Sequence, residues 1–549
     1  MQDRSVRDAL LFVCLAAAAS AGCHKSDGAS CGSDVDCGEG NACSDGTCLA
    51  RLGGTQQPPQ TWPVEILPRT ETVWGVTELP SVTFSADPVA LQVSDLVKLD
   101  GQIAGLDATM LKGASVRVLL SFPSQIGRGD RLFDGEGTSA GEGMPVRFSL
   151  AVPRGAMGRP AQLRVVPGAP ADQMLPTWTV TVPALGSSSL ALALPRPNET
   201  TTIEGMLLEA LGTDAVVDYT VRALSGDELV SNVDHTTAQG HFSLRLQSTV
   251  SLDTVTIELA PPADPTQARP TLVARVMGAK LNLGVLRLPP TAPPQQLKVP
   301  VTAQGAGKKI PGATLRFYAP LAGASGGEAS FRREFQTDKD GLASVTVLPA
   351  NAGETRNYAV AVIPPPNSEF AARCLSTYPV AASPNAPARV GASIELLPKP
   401  VLSGQVLDAS GRALGGAMVT AVRKGSTYVN DCATEVASPQ AVATTEADGS
   451  FKLLLDPGSY RLEYEPPMGS ASPLYVEDDV AVDGSAERMV VLPAGVLAEG
   501  SVLTPEGTPA AGCLVRAIGP ARPGMAAAPL ARARTATNGR FRLVLPRGP

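Results

Sequence analysis

A strand-like apolar stretch running into Leu-Pro recurs four times in this 549-residue chain, at Leu194-Pro195, Leu288-Pro289, Leu397-Pro398 and Leu492-Pro493. The spacings of 94, 109 and 95 residues carry the signal, because Leu-Pro also occurs off this beat, at Leu67-Pro68 and Leu348-Pro349. A period near a hundred residues is the length of one β-sandwich. A chain of this length exceeds a single core, so several domains in series are expected. Gly (54) and Pro (49) are frequent, aromatics are 4%, and hydrophobic residues are 44%, too many for a disordered chain. Short apolar runs separated by Gly/Pro turns predict an all-β fold. The net charge of −7 is mild and, without clustered Lys and Arg, excludes a nucleic-acid partner.

Residues 1–22 have the form of a secretory signal peptide, with Arg4 and Arg7 before an apolar core from Ala9 to Ala19 that is too short to span a bilayer. Ser20-Ala21-Gly22-Cys23 resembles a bacterial lipobox, although Ser20 stands where that motif usually has Leu. The resemblance implies a lipid on Cys23. His24, where an Asp favours inner-membrane retention, implies the outer membrane or surface of a Gram-negative cell. Cys31, Cys37, Cys43 and Cys48 follow within 18 residues rich in Gly, Asp and Ser. Such a stretch has no core of its own, so two disulfides are expected, with three pairings open. A four-thiolate metal site is the alternative, but the paired C-x2-C spacing of zinc modules is missing. Residues 49–97, beginning with Gln56-Gln57-Pro58-Pro59 and carrying β-like pieces such as Val64-Glu65-Ile66-Leu67, read as an extended spacer.

The fourth period is the clearest. Gly404-Gln-Val406 is a strand; Gly411 to Gly416-Ala417-Met-Val419 is a turn into a second; Thr445-Glu-Ala-Asp448-Gly449-Ser-Phe451 is a hairpin; Pro457-Gly458-Ser-Tyr460 is a further turn. This series resembles the carboxypeptidase regulatory-like domain family, which implies seven-stranded, transthyretin-like sandwiches; a generic Ig-like or Cna-B-like sandwich is the alternative, with the same architecture. The fifth period repeats it in Gly500-Ser-Val502, Cys513-Leu-Val515 (with Cys513 at the Ala417 position) and Thr535-Ala-Thr-Asn538-Gly539-Arg-Phe541. The third has Gly312-Ala313 and Thr337-Asp-Lys-Asp340-Gly341; the second has Gly205 and Gly240-His-Phe242; the first, least similar, has Gly101-Gln-Ile103 and Val146-Arg-Phe148. The expected layout is a signal peptide (1–22), a lipidated Cys-rich module (23–48), the spacer (49–97) and repeats at 98–196, 197–290, 291–398 and 399–493. The fifth repeat, 494–549, stops eight residues past Phe541 and lacks its later strands. That predicts a fragment or a poorly folded last domain with an open edge. Of the remaining cysteines, Cys374 and Cys432 are candidates for a clip between the third and fourth repeats, or buried thiols, and Cys513 is left over.

No constellation points to catalysis. The three His (His24, His235, His241) are scattered, and the zinc-binding half of the related carboxypeptidases is missing. Gly137-Thr-Ser139-Ala-Gly141 spells G-x-S-x-G but sits among glycines without the strand and helix a nucleophile elbow needs. Arg128-Gly129-Asp130 reads as a chance match to an integrin-type tripeptide, and of the acidic groups that calcium would need, Asp338-Lys-Asp340-Gly341 reads as a hairpin turn and Glu477-Asp478-Asp479 as an ordinary acidic loop. An isopeptide crosslink is disfavoured because Val401 to Leu407 contains no Lys. Trp62, Trp74 and Trp178, with Tyr460 and Tyr464, are the aromatics a sugar would need, but Tyr460 and Trp178 sit in core-like patterns. The chain thus reads as a non-catalytic envelope lipoprotein without cofactor or metal, a β-sandwich stalk with structural or adhesive roles. Its expected partners are the membrane, surface glycans and envelope proteins. A carbohydrate-binding protein acting on extracellular polysaccharide is the alternative.

Overall fold

The structure is a computed structural model. It describes residues 30–37, 40–44, 47–53, 57–69, 73–104, 115–139, 145–169, 171–186, 189–193, 195–262, 264, 268–276, 281–350, 354–381, 389–424, 428–429, 432–433, 440–520 and 527–547. Among these, helical pieces are single 3₁₀ turns and the rest of the regular structure is strand.

The fourth sandwich sets the pattern. Its opening strand Val401–Leu407 lies between the antiparallel Ser450–Leu454 and the parallel closing strand Ala486–Val491. The facing sheet runs Gln440–Thr444, Met418–Arg423, Gly458–Glu465, Tyr475–Val482. The first, second and third sandwiches repeat this three-plus-four order, each ending on a closing strand parallel to its opener: Leu190–Ala193, Asn282–Arg287, and Arg389–Val390 with Ile394–Leu396. The recurring Leu-Pro follows these strands directly. Leu288 and Leu492 are buried, whereas in the third sandwich Leu396 takes the inward place and Leu397 is exposed.

The shared motifs have a common physical job. In four sandwiches a glycine of the opening strand faces a phenylalanine across the sheet: Gly101 and Phe148, Gly205 and Phe242, Gly404 and Phe451, Gly500 and Phe541. A Cβ on any of these glycines would stand 2.2–2.9 Å from the ring, so the glycine is the floor on which the ring lies. The third sandwich puts Val299 opposite Ala343 at the same place, moving the volume from one strand to the other. A buried threonine ties the hairpin to the second strand. The Oγ1 atoms of Thr236, Thr337, Thr445 and Thr535 accept from the N–H of Tyr219, Ala313, Ala417 and Cys513 at 2.8–2.9 Å. The last three also donate to Ile310, Leu414 and Ala510 carbonyls. Four residues on, Gly240, Gly341, Gly449 and Gly539 turn the chain at positive φ, where a side chain would also strike a backbone carbonyl.

The structure departs from the sequence expectation at both ends of the chain. Residues 49–97 are not a free spacer, and the last sandwich has no missing strands. Its opening strand Val496–Leu503 pairs with Arg540–Leu545 on one side and, in parallel, with Val89–Gln92 on the other. Its second sheet runs Pro529–Arg534, Leu514–Ile518, Gln60–Leu67, Thr77–Phe84. The N-terminal segment thus supplies the fifth, sixth and seventh strands, in the same order as in the fourth sandwich. The reason is apolar: Trp62, Val64, Ile66, Val82, Phe84 and Leu91 share one buried core with Val502, Val515, Ala517, Phe541 and Leu543. Each of the valine, leucine, isoleucine and phenylalanine side chains is worth about 2 kcal/mol when removed from water.

The units are not all separate either. Thr271–Arg275 of the second sandwich pairs edge to edge with Glu328–Gln336 of the third, making one nine-stranded sheet and one continuous core. Pairing satisfies two edges that would otherwise expose backbone N–H and C=O groups.

The Gly/Phe exchange is testable in the second sandwich. Gly205→Val alone should destabilise by about 1–3 kcal/mol through overpacking, and Phe242→Ala alone by about 3–5 kcal/mol through the cavity. The double variant, which imitates the Val299/Ala343 pair, should cost clearly less than the sum; chemical denaturation of the four proteins in a double-mutant cycle checks this.

Candidate functional site

The disulfide module and the fourth and fifth sandwiches meet in one region. In the module the bonds are Cys31–Cys43 and Cys37–Cys48. Their sulfurs are therefore engaged with one another, which removes the thiolates that a metal site would need. The module is docked rather than pendant. Ala42 and Leu49 pack with Ala471 and Leu497 across the seam between the fourth and fifth sandwiches. Ser44 Oγ donates to Gly469 O at 2.7 Å, Arg412 to Thr47 Oγ1 at 2.8 Å, and Leu52 N to Leu497 O at 3.1 Å. Four charges alternate around this contact: Asp34 meets Arg51 (3.0 Å) and Arg542 (2.8 Å), and both arginines meet Glu499 (3.3 and 2.9 Å). Burial opposes the charge on Asp34, but the Cys43 N–H and the two arginines outweigh it and hold its carboxyl below the usual range. A cavity of about 180 Å³ lies beside the module, lined by Cys43, Glu465, Ser472, Arg532 and Arg542.

A second ionic knot ties the fifth sandwich to the first. Glu65 is fully buried on the Gln60–Leu67 strand and meets Arg131, Arg516 (3.2 Å) and Arg128 (3.9 Å). Arg131 also binds Glu78 at 2.7 Å, which accepts from Ser124 Oγ (2.6 Å) and Gln125 N (2.9 Å). Burial works against the Glu78 charge; the Ser124, Gln125 and Arg131 donors prevail and lower its pKa. Ala527 N donates to Gly127 O at 2.9 Å and Arg128 donates to Ala527 O at 2.7 Å. The arginine of Arg128-Gly129-Asp130 is thus committed to an internal seam rather than offered on a free loop.

The remaining seams follow the chain. Val233 N donates to Asp172 O (2.8 Å) and Asn232 to Gln173 O (2.9 Å) between the first and second sandwiches. Asp456 accepts from Ala372 N (2.7 Å) and faces buried Lys399 (3.8 Å) between the third and fourth. Leu474 N donates to Leu530 O between the fourth and fifth, where Arg532 also meets Glu465. With the shared sheet of the second and third, five sandwiches form a closed circuit.

The residues singled out in the sequence fall into place around this frame. Cys23 and His24 lie outside the described residues. Cys374 is disulfide-bonded, and the short strand Cys432–Ala433 lies beside its strand Arg373–Ala381, but the Cys432 side chain is outside the described residues. Cys513 is a buried free thiol at the Ala417 position, its pKa raised by burial. Ser139 ends the strand Asp130–Ser139, paired to Val146. That strand bonds to both Ser115–Pro123 and Val146–Pro153, so it carries the sheet around a corner. A Cβ on Gly137 would stand 2.7 Å from Arg147 O. Gly137 therefore serves the bend of this strand, and Gly141 lies outside the described residues. Asp338 accepts from the Asp340 and Leu342 N–H groups within its own turn. Asp478 pairs with Arg461 (2.9 Å) and Lys424 (3.3 Å), Asp479 with Lys424 (2.8 Å), and Glu477 with Arg488 (3.4 Å). Trp62, Trp178, Tyr460 and Tyr464 are core residues, and Trp74, Tyr318 and Tyr475 are half-buried; the Tyr428 side chain lies outside the described residues. Sequence reasoning missed Glu65, Glu78 and Asp34; the one signal available was a charged residue, Glu65, inside the apolar run Val64 to Leu67.

No known protein family matches the chain, and no curated protein does. Solved structures that share likeness include the TIE protein of Bacillus anthracis (11% identity, 80% of this chain and 74% of that one, TM-score 0.18). Others are a streptococcal ancillary pilin (13%, 54% and 98%, TM-score 0.23) and the shaft pilin SpaA of Lactobacillus rhamnosus GG (15%, 37% and 98%, TM-score 0.18). At these scores the whole chains do not superpose, and the sandwich assignment stands on the strand pairing itself.

Two outcomes follow from the ionic knots. Glu65→Ala leaves three arginines facing a void and should cost about 3 kcal/mol, read as faster hydrogen exchange at residues 60–84 and 514–518. Asp34 and Glu78 have lowered folded-state pKa values, so their contribution is complete above the ordinary carboxylate range of about 4. It is lost as the pH falls through the lowered values, because the unfolded carboxylates take up protons first. Denaturation midpoints should hold from neutral pH down to that range and drop below it.

Proposed function

We propose that the protein is a non-catalytic scaffold of the bacterial envelope, exported and held by a lipid on Cys23, with structural or adhesive contacts made by the loops at the sandwich ends. The observation that carries this reading is where the charged side chains go. Glu65, Glu78, Asp34, Glu499, Asp456 and Glu465 are each used in joining one unit to the next. Such groups, free to face a substrate, are what an active site would need; here each meets arginine or lysine at a seam, Glu465 beside the cavity included, where it pairs with Arg532. The packed indoles and phenols likewise favour a scaffold over a sugar-stacking surface. Cys432 as the partner of Cys374 would add a covalent tie between the third and fourth sandwiches.

Mass spectrometry of the mature protein tests the anchor and the ties together. The expected N-terminal peptide begins at lipid-modified Cys23; an unmodified start at another residue removes the anchor. The non-reduced peptide map should contain Cys31–Cys43, Cys37–Cys48 and Cys374–Cys432. Protease added to intact cells should release fragments of the sandwiches, and a fluorophosphonate probe should leave Ser139 unlabelled.

A further inference from the structure

The four strands between Val496 and Leu545 cannot stand alone. They present Val502, Val515, Ala517 and Leu543 to a layer that only residues 60–92 provide. Nothing in that pairing depends on the two pieces belonging to one molecule: the connection between them runs through all four other sandwiches. We propose that the protein associates with a second copy of itself by exchanging this segment, residues 60–92 of one copy completing the 496–545 half-sandwich of the other.

Three features favour exchange here over any other place in the fold. The segment passes into the first sandwich through Val93 alone, between Val89–Gln92 and Ser94–Ala104, and Val93 N donates to Leu503 O at 3.0 Å. Segment and first sandwich therefore move together, and the seam of Glu65 with Arg128, Arg131 and Arg516 re-forms unchanged when the acceptor is another copy. The exchanged and closed forms thus share the bonds of the closure, as in domain swapping generally. The one seam that must yield holds no shared core. That seam lies between the first and second sandwiches, whose separate cores are joined by hydrogen bonds such as Val233 N to Asp172 O and by the half-exposed Arg164–Glu228 pair (2.9 Å), whereas the second and third share a core and stay rigid. Order of synthesis adds the opportunity. Residues 60–92 are made about 400 residues before their partner, which at ribosomal rates is roughly 20–80 s in which the donor has no partner in its own chain.

Closure within one copy competes through an effective concentration on the order of millimolar. Dilute protein should therefore be closed, and exchange should take over when copies are crowded together.

Leu67 and Leu514 are antiparallel neighbours across the donor–acceptor boundary, both half-buried. Leu67→Cys is placed in one copy and Leu514→Cys in a differently tagged copy, each with Cys513→Ala to remove the native thiol. The full-length proteins are unfolded with native disulfides intact, mixed, refolded over a range of concentrations and gently oxidised. The expected product is a mixed dimer linked through positions 67 and 514, its yield rising about tenfold for each tenfold increase in concentration in the dilute range. Absence of that link at every concentration, while the single chain carrying both cysteines links within itself, overturns the proposal. If the double variant fails to link, light scattering of the unsubstituted refolded chain decides. A dimer that persists on dilution supports exchange, and a monomer at every concentration refutes it.

Discussion

Pairing of Gln60–Leu67 with Leu514–Ile518 is the contact on which the rest of the architecture depends. It puts Val64 and Ile66 into the core of the last sandwich and, on the opposite face of the same strand, points Glu65 at three arginines. One strand therefore closes a hydrophobic core and fastens the fifth sandwich to the first. Without it the half-sandwich would expose its inner face, the Glu65 knot would lose its centre, and the disulfide module would lose the Leu497 strand as a rigid base.

Within the sandwiches a small set of residues recurs, each part of it in four of the five. The glycine–phenylalanine pair fills the centre of the three-stranded sheet, and the threonine satisfies two buried backbone groups where the hairpin meets the second strand. The third sandwich shows which part is physical necessity and which is one solution among several. It keeps the threonine and the positive-φ glycine but replaces the ring and its floor by Val299 and Ala343. The total volume at the site is what the core requires.

The sandwich fold was legible because its signals are local. Asp448-Gly449 needs only its own hairpin, and the alternation at Phe451 and Leu453 needs only the adjacent strand. What sequence reading missed was non-local. Val64, Ile66, Val82 and Phe84 alternate as strand residues do, but a repeat count that closes each unit on its own stretch of chain has no place for them. Their partners lie more than 400 residues away, and no turn chemistry connects the two. The fusion of the second and third sandwiches was hidden for the same reason: edge pairing at Thr271–Arg275 uses backbone groups that every residue has. The ionic knots were invisible because an acidic residue in a strand ordinarily faces water, and only assembly shows that Glu65 does not.

Because residues 60–92 and 496–545 lie in one sandwich, tension applied across these two stretches has a short path. It runs from the docked disulfide module through the strands they supply, and it leaves the first four sandwiches slack. An array strung end to end would instead lengthen unit by unit under a pull. Here the first event is shear of one composite β-sandwich, and its rupture sets free the stored length of all the others at once.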